Sequence, residues 1–208
     1  MIQRPGRLVF VTGTGTGVGK TWWAAASARV LRDAGVRVSV RKPVQSGAET
    51  PSDADVLGGA TAERADDVCL PHRRYRLAWA PPMAATELGR PAFTVADLVG
   101  ELAWPDGTQV GLVEGAGGPR SPIASDGDNV DFARALAPDA VVLVAEAGLG
   151  AINAVRLAAD ALSGFELHVA LNRFGDDALH ARNREFLADR AGLHVVVTPA
   201  ELSTSLAG

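Results

Sequence analysis

Lysine is almost missing from this chain. Only Lys20 and Lys42 are lysine among its 20 basic residues; the rest are arginine. A bias of that strength reflects genome composition, so lysine survives where a compact ammonium is needed and a planar guanidinium does not fit. Cysteine is rarer still: Cys69 stands alone, which excludes an internal disulfide and a cysteine-based zinc site. The four histidines, His72, His168, His180 and His194, lack a ligand spacing such as HExxH. No basic run reaches five residues, and a net charge of −4 argues against a nucleic-acid partner. No apolar run approaches the ~18 residues of a membrane span. The first residues pass directly into a strand pattern, which leaves no room for a secretion signal, so the expected location is the cytoplasm. At 208 residues, 47% of them hydrophobic, the chain reads as one domain over residues 1–208, large enough to bury its own core.

What is present alternates. Apolar strand patterns at Arg7–Gly13, Val36–Arg41, Gln109–Val113, Ala140–Ala145, Leu167–Leu171 and Val195–Thr198 are separated by helical patterns. Those helices cover Thr21–Ala34, Ser52–Ala62, a segment capped by Thr94, Asn129–Leu136, Ile152–Leu162 and Asp177–Ala191. Pro43–Pro51 reads as a loop, and Val68–Pro91 as irregular. The alternation predicts an α/β fold, a largely parallel sheet between two helix layers, with ligands at the carboxyl ends of the strands.

Each chemical motif falls at such an end. Gly13-Thr14-Gly15-Thr16-Gly17-Val18-Gly19-Lys20-Thr21 follows a strand and opens a helix. That is the setting of a P-loop, whose backbone N–H groups and helix N-terminus cradle phosphates. Lys20 would reach the β- and γ-phosphates, and Thr21 would ligate Mg2+. The usual glycine six residues before the lysine is Thr14 here, and Gly13 comes one residue earlier, so the loop carries one extra residue. Lys42-Pro43-Val44-Gln45-Ser46-Gly47 closes the second strand, expected to run beside the P-loop strand; Lys42 offers a second cation to a phosphoryl group and Ser46 a hydroxyl. A third apolar strand delivers Glu114, followed by Gly115-Ala116-Gly117-Gly118, as an acidic metal site facing a P-loop requires. Ser52-Asp53-Ala54-Asp55 offers a carboxylate to the same metal, although Ser-Asp is also a common helix cap. Gly148-Leu149-Gly150-Ala151-Ile152-Asn153 presents N–H groups suited to a carboxylate.

Together VTGTGTGVGKT, KPVQSG, SDAD, APPMAATELGRP, LVEGAGG, GLGAIN and Asn172, in that order, resemble the dethiobiotin synthetases over about Val9 to Asn172. The extra-residue P-loop is typical of that family. The resemblance implies a P-loop fold and an ATP- and Mg2+-dependent ligase that converts 7,8-diaminononanoate and CO2 into dethiobiotin, ADP and phosphate. By matching position it implies that Lys20 and Lys42 stabilise the phosphoryl group and that Thr16 and Ser46 contact the carbamate. Thr21, Asp53 and Glu114 would hold Mg2+, with Asp53 preferred to Asp55 on its Ser-Asp-Ala context. The nucleotide would meet Gly13, Thr14, Gly15, Gly17, Val18, Gly19, Lys20, Thr21, Glu114, Gly117, Gly118, Asn172 and Pro199. A homodimer is implied, in which Gly150, Ala151, Ile152 and Asn153 reach substrate in the neighbouring subunit. Two departures stand out. Gly15 and Gly17 replace acidic residues that some members carry. Only about ten residues follow the last strand, where the family places a terminal helix and part of the base pocket. Regulatory ATPases of the ParA/MinD kind share the general pattern, but they carry an early loop lysine and favour an aspartate where Glu114 stands. Amide-forming ligases of cobalamin synthesis normally add a glutaminase domain, for which 208 residues leave no space.

Overall fold

A computed structural model describes residues 4–207; residues 1–3 and 208, the ends of the expected domain, lie outside the described part. The elements in chain order are β1 (Arg7–Gly13), α1 (Lys20–Asp33), β2 (Val38–Arg41), β3 (Gln45–Ser46), α2 (Asp53–Thr61), α3 (Ala65–Val68), β4 (Arg74–Tyr75), α4 (Pro81–Glu87), α5 (Val95–Gly100), β5 (Val110–Glu114), β6 (Pro122–Ala124), β7 (Gly127–Asp128), α6 (Asn129–Leu136), β8 (Ala140–Glu146), α7 (Ala151–Ala161), β9 (Leu167–Asn172), α8 (Ala178–Glu185), β10 (His194–Val196) and α9 (Pro199–Ala207). Six of the strands form one sheet in the order β10-β9-β8-β1-β5-β2, and every pairing within it is parallel.

Parallel strands sandwiched between helices must be apolar on both faces, and alternate residues serve the two cores. From β1, Leu8 and Phe10 enter one cluster while Val9 and Val11 enter the other; from β8, Val141, Leu143 and Ala145 go one way and Ala140, Val142 and Val144 the other. The first cluster is closed by α4, α5, α6 and α7 through Ala84, Leu98, Phe132 and Val155. The second is closed by α1, α2 and α9 through Trp23, Leu57, Leu202 and Leu206. The expected three-layer α/β architecture is therefore the observed one.

The differences from the sequence reading are local. β2 does not run beside β1: β5 lies between them, since β1 pairs with β5 and β8. The short tail is a helix, α9, which packs Leu202 and Leu206 into the core beside α1. The stretch 68–91 contains α4, whose two leading prolines occupy the first turn, where their missing N–H groups cost nothing. The helix read as Asp177–Ala191 is regular only to Glu185 and continues as a π-type turn over Phe186–Arg190.

The topology positions the site. The chain leaves β1 towards β2 on one side and later builds β8 on the other, so β1 lies at the switch point. Its carboxyl end is the Gly13–Thr21 loop.

Candidate active site around Lys20, Lys42 and Glu114

Register explains how distant residues meet. Arg41 pairs with Val113 across β2 and β5, and Val11 pairs with Glu114 across β1 and β5. The residue after Arg41 is therefore level with Glu114 on a strand ~5 Å away. Lys42 is that residue, and its Nζ lies 2.6 Å from Glu114 Oε1. The same ammonium lies 2.7 Å from Asp53 Oδ2. Thr21 Oγ1, on the first turn of α1, lies 2.9 Å from both Asp53 Oδ1 and Glu114 Oε1. A P-loop hydroxyl, a lysine from one strand end, a glutamate from another and an aspartate from α2 thus converge on one point.

Each is held from behind. The Lys42 backbone N–H donates to Val68 O at 2.8 Å. The first turn of α2 is fixed by the buried Gln45, whose Oε1 accepts from Ala54 N at 3.1 Å. That turn also separates the two aspartates. Asp55 closes a capping box with Ser52, its Oδ2 accepting from the Ser52 N–H at 2.9 Å and hydroxyl at 2.7 Å. Asp53, two residues earlier, faces Thr21 and Lys42. Ser52, not Asp53, is the N-cap.

The P-loop is locked by close packing. Thr14 N donates to Val144 O at 2.8 Å, so the loop starts as an extension of the β1–β8 pairing. Gly19 has a positive φ of 98°, and a Cβ there would lie 2.1 Å from Asn172 Nδ2. Only glycine fits that position. In return, Asn172 Nδ2 donates to Val18 O at 2.9 Å, which ties the end of β9 to the loop. Lys20 Nζ donates to Gly15 O at 2.8 Å, so the lysine curls over the loop it would share with phosphates.

Electrostatics follow from burial. Burial pulls the Lys20 ammonium below its ordinary pKa, more strongly than Glu114 raises it. Burial acts on Lys42 too, but the carboxylates of Glu114 and Asp53 outweigh it and hold that ammonium above its usual range. Burial raises the Asp53 carboxyl, and Lys42 and the Thr21 hydroxyl more than reverse it.

Glu114 is 1% exposed, yet its Oε2 has no hydrogen-bond partner. A buried, unpartnered carboxylate oxygen beside a hydroxyl and a second carboxylate is a hard-oxygen set that suits Mg2+. Among the described residues no three His, Cys, Asp or Glu side chains gather into a metal cage.

Thr16, Gly17, Gly19, Lys20, Thr21, Lys42, Ser46, Asp53, Glu114 and Gly117 line one cavity of about 430 Å3. Asn172 borders an adjoining groove with Gly19, Trp22, Trp23 and Phe174; Pro199 does not line it, although Val197 does. The Gly150–Asn153 turn lies at the end of β8 and is not part of the Lys42 cavity within one chain. Asn153 is exposed.

The sequence reading missed two asparagines. Buried Asn129 donates from Nδ2 to Ala116 O at 2.7 Å and Gly118 O at 2.9 Å, bracing the glycine turn behind Glu114. Asn183 donates to Ala147 O at 2.8 Å and Gly148 O at 2.9 Å, bracing the turn before α7. Neither stands in a motif; Asn129 lies 15 positions from Glu114. Only an asparagine opening a helix just after a glycine turn hints at its role.

Comparison with known proteins adds to this geometry. A family model described as an AAA domain matches residues 7–198. The ATP-dependent dethiobiotin synthetase of Rhodococcus jostii is 41% identical over 170 residues, covering 78% of this chain and 71% of the relative. The chain belongs to the ATP-dependent dethiobiotin synthetase family. The family's Anaeromyxobacter dehalogenans member is 38% identical and covers 82% and 78% of the two chains; that of Mycobacterium marinum is 35% identical and covers 95% and 89%. Among solved structures, the signal recognition particle receptor FtsY of Elizabethkingia anophelis has a TM-score of 0.56 at 16% identity, covering 98% of this chain and 66% of that one. A plasmid partition protein of Borrelia burgdorferi bound to AMPPNP has a TM-score of 0.55 at 11% identity, covering 96% and 90%. At such identities they share the P-loop fold and no more. The choice between ligase and partition-type ATPase therefore rests on the dethiobiotin synthetase relatives.

Proposed function

We propose that this protein is a dethiobiotin synthetase. It joins 7,8-diaminononanoate and CO2 at the expense of ATP, giving dethiobiotin, ADP and phosphate. One amine adds to CO2 and loses a proton, forming a carbamate. A carbamate oxygen attacks the γ-phosphorus and ADP leaves, giving a carbamic–phosphoric anhydride. The second amine attacks the carbamate carbon, phosphate departs, and the ureido ring closes with loss of a proton.

The observation that carries this reading is the meeting of Lys20 and Lys42 in one cavity with Thr16 and Ser46. Two anions must approach each other there, the carbamate and the γ-phosphate. At ~4 Å such charges repel by about 4 kcal/mol at an effective dielectric of 20, so cations placed beside them lower the barrier directly. Lys20 neutralises charge on the phosphates, Lys42 stands where both anions meet, and the Thr16 and Ser46 hydroxyls hold the carbamate. Thr21, Asp53 and Glu114 would hold Mg2+. That ion, when bound, offsets phosphate charge as the γ-phosphoryl group leaves. The P-loop backbone, with Gly117, Gly118 and Asn172, takes the nucleotide.

The active protein is a homodimer in this reading, working in the cytoplasm. No described helix is long and apolar enough to cross a membrane. Asn153 and Leu157 are spaced four residues apart on α7, and so share a face. Leu157 is 63% exposed, and Leu149, in the turn before the helix, is 94% exposed. A partner pressed on this face would receive Gly150, Ala151, Ile152 and Asn153 at its own substrate site. The test is isotopic. With 13C-bicarbonate, ATP and diaminononanoate, the label should appear in the ureido carbon of dethiobiotin by mass spectrometry. ATP hydrolysis without labelled product would overturn the assignment.

A further inference from the structure

The cavity has five ionisable lining residues, and four are accounted for. Lys42 joins Asp53 and Glu114, and Lys20 bonds the P-loop. The fifth is Glu49, which lines the same cavity. Among the described residues its carboxylate has no hydrogen-bond or ion-pair partner.

The loop between β3 and α2 builds this position. Gly47 has a φ of 116°, and a Cβ there would lie 2.6 Å from Glu49 Oε2. The chain therefore turns at a glycine and lays the Glu49 carboxylate back over it, one residue from Ser46. Nothing lies within 4 Å of where a Cβ would stand at Gly15 or Gly17, so this part of the P-loop is bare.

Building on the dethiobiotin synthetase reading, the substrate must supply a cation to this cavity. Two amines on neighbouring carbons oppose double protonation, so one amine is neutral and free to add to CO2 while the other remains an ammonium. Lys20 and Lys42 repel that ammonium. Asp53 and Glu114 are already shared with Lys42 and Thr21, and in this reading with Mg2+. An ammonium entering unpaired would carry a desolvation penalty that a facing carboxylate offsets.

We propose that Glu49 binds the ammonium of the diamine within this cavity, and so sets which amine is free to become the carbamate. It is a substrate-binding residue and no proton transfer is assigned to it; the ammonium gives up its extra proton to solvent before that nitrogen attacks the carbamate carbon in ring closure.

The test uses the full-length protein with saturating ATP and bicarbonate, varying diaminononanoate, and then with saturating diamine, varying ATP. Glu49→Gln keeps the shape and removes the charge. It should raise KM for the diamine about tenfold or more, the equivalent of one charge-assisted contact, and leave KM for ATP within about twofold. Glu49→Asp should recover part of the loss. An unchanged diamine KM in a parent that makes dethiobiotin overturns this assignment alone. Equal rises in both KM values overturn it as well, because the loop would then matter only for shape. A parent that makes no dethiobiotin from the diamine overturns the functional reading, and this inference with it.

Discussion

In the proposed mechanism two lysines carry the chemistry, and they should fail differently. Lys20 is part of the phosphate cradle, so Lys20→Ala should weaken ATP binding and cut turnover by on the order of 10²-fold or more, with the fold intact by circular dichroism. In that mechanism Lys42 acts where carbamate and phosphate meet. Its buried ammonium fits between Asp53 and Glu114 at 2.7 and 2.6 Å, and a forked guanidinium is wider than that space. Lys42→Arg should therefore hold ATP nearly as well as the parent while losing most ring closure, since the lost contact forms in the transition state. Titration with a fluorescent ATP analogue beside steady-state turnover separates the two losses. Parent-like turnover in Lys42→Arg would remove Lys42 from the mechanism.

The near-absence of lysine made both residues legible before any coordinate. Arg41, next to Lys42, shows the contrast: it binds Glu63 and lies over the Trp104 ring, a structural role that arginine fills. Glu49 was not legible, because a loop glutamate has no periodicity. Only the turn at Gly47 brings it into the cavity.

At the scale of elements, β2 is an edge strand, and one carboxylate fastens it. Glu63 accepts from Ser39 Oγ at 2.6 Å, Val40 N at 3.2 Å and Arg41 Nη1 at 2.8 Å. Removing it leaves the buried Arg41 guanidinium without a counter-charge, with only the Ala103 and Val40 carbonyls as partners, so Glu63→Ala should cost about 3 kcal/mol in chemical denaturation at neutral pH. Burial pushes the Glu63 carboxyl up, but the Ser39 hydroxyl and Arg41 outweigh it and hold it below the ordinary 4.5. The folded state thus binds this proton less readily than the unfolded chain. The stability it contributes is complete above about pH 4.5 and is lost as pH falls through the lower folded-state value. Thermal melts should show parent and Glu63→Gln converging below pH 4.5, and a gap that stays constant down to pH 3 would refute the role given to Glu63. Strand and helix types were readable from period and caps, as Thr94 and Ser52 show. Strand order was not. Nothing in the β1 or β2 pattern says that β5, some 70 residues later, slides between them. The packing of the short tail was not readable either, because length alone does not reveal Leu202 and Leu206 as core residues.

At the scale of the molecule, the proposed dimer makes a sharp claim: each site borrows Asn153 from its partner. Hybrids of Lys20→Ala and Asn153→Ala subunits would contain one site with neither change. Mixing the two variants should restore a fraction of parental activity that neither shows alone. Light scattering that finds a monomer, or mixed dimers without rescue, would contradict the shared site.

The central claim is that this P-loop protein is a ligase and not a nucleotide switch, and phosphate release from ATP tests it most directly. With Mg2+, ATP, bicarbonate and diaminononanoate together, one phosphate should appear per dethiobiotin formed, and omission of any single component should reduce release to background. Phosphate released at the same rate without diamine or bicarbonate would contradict the ligase and leave an ATPase in its place.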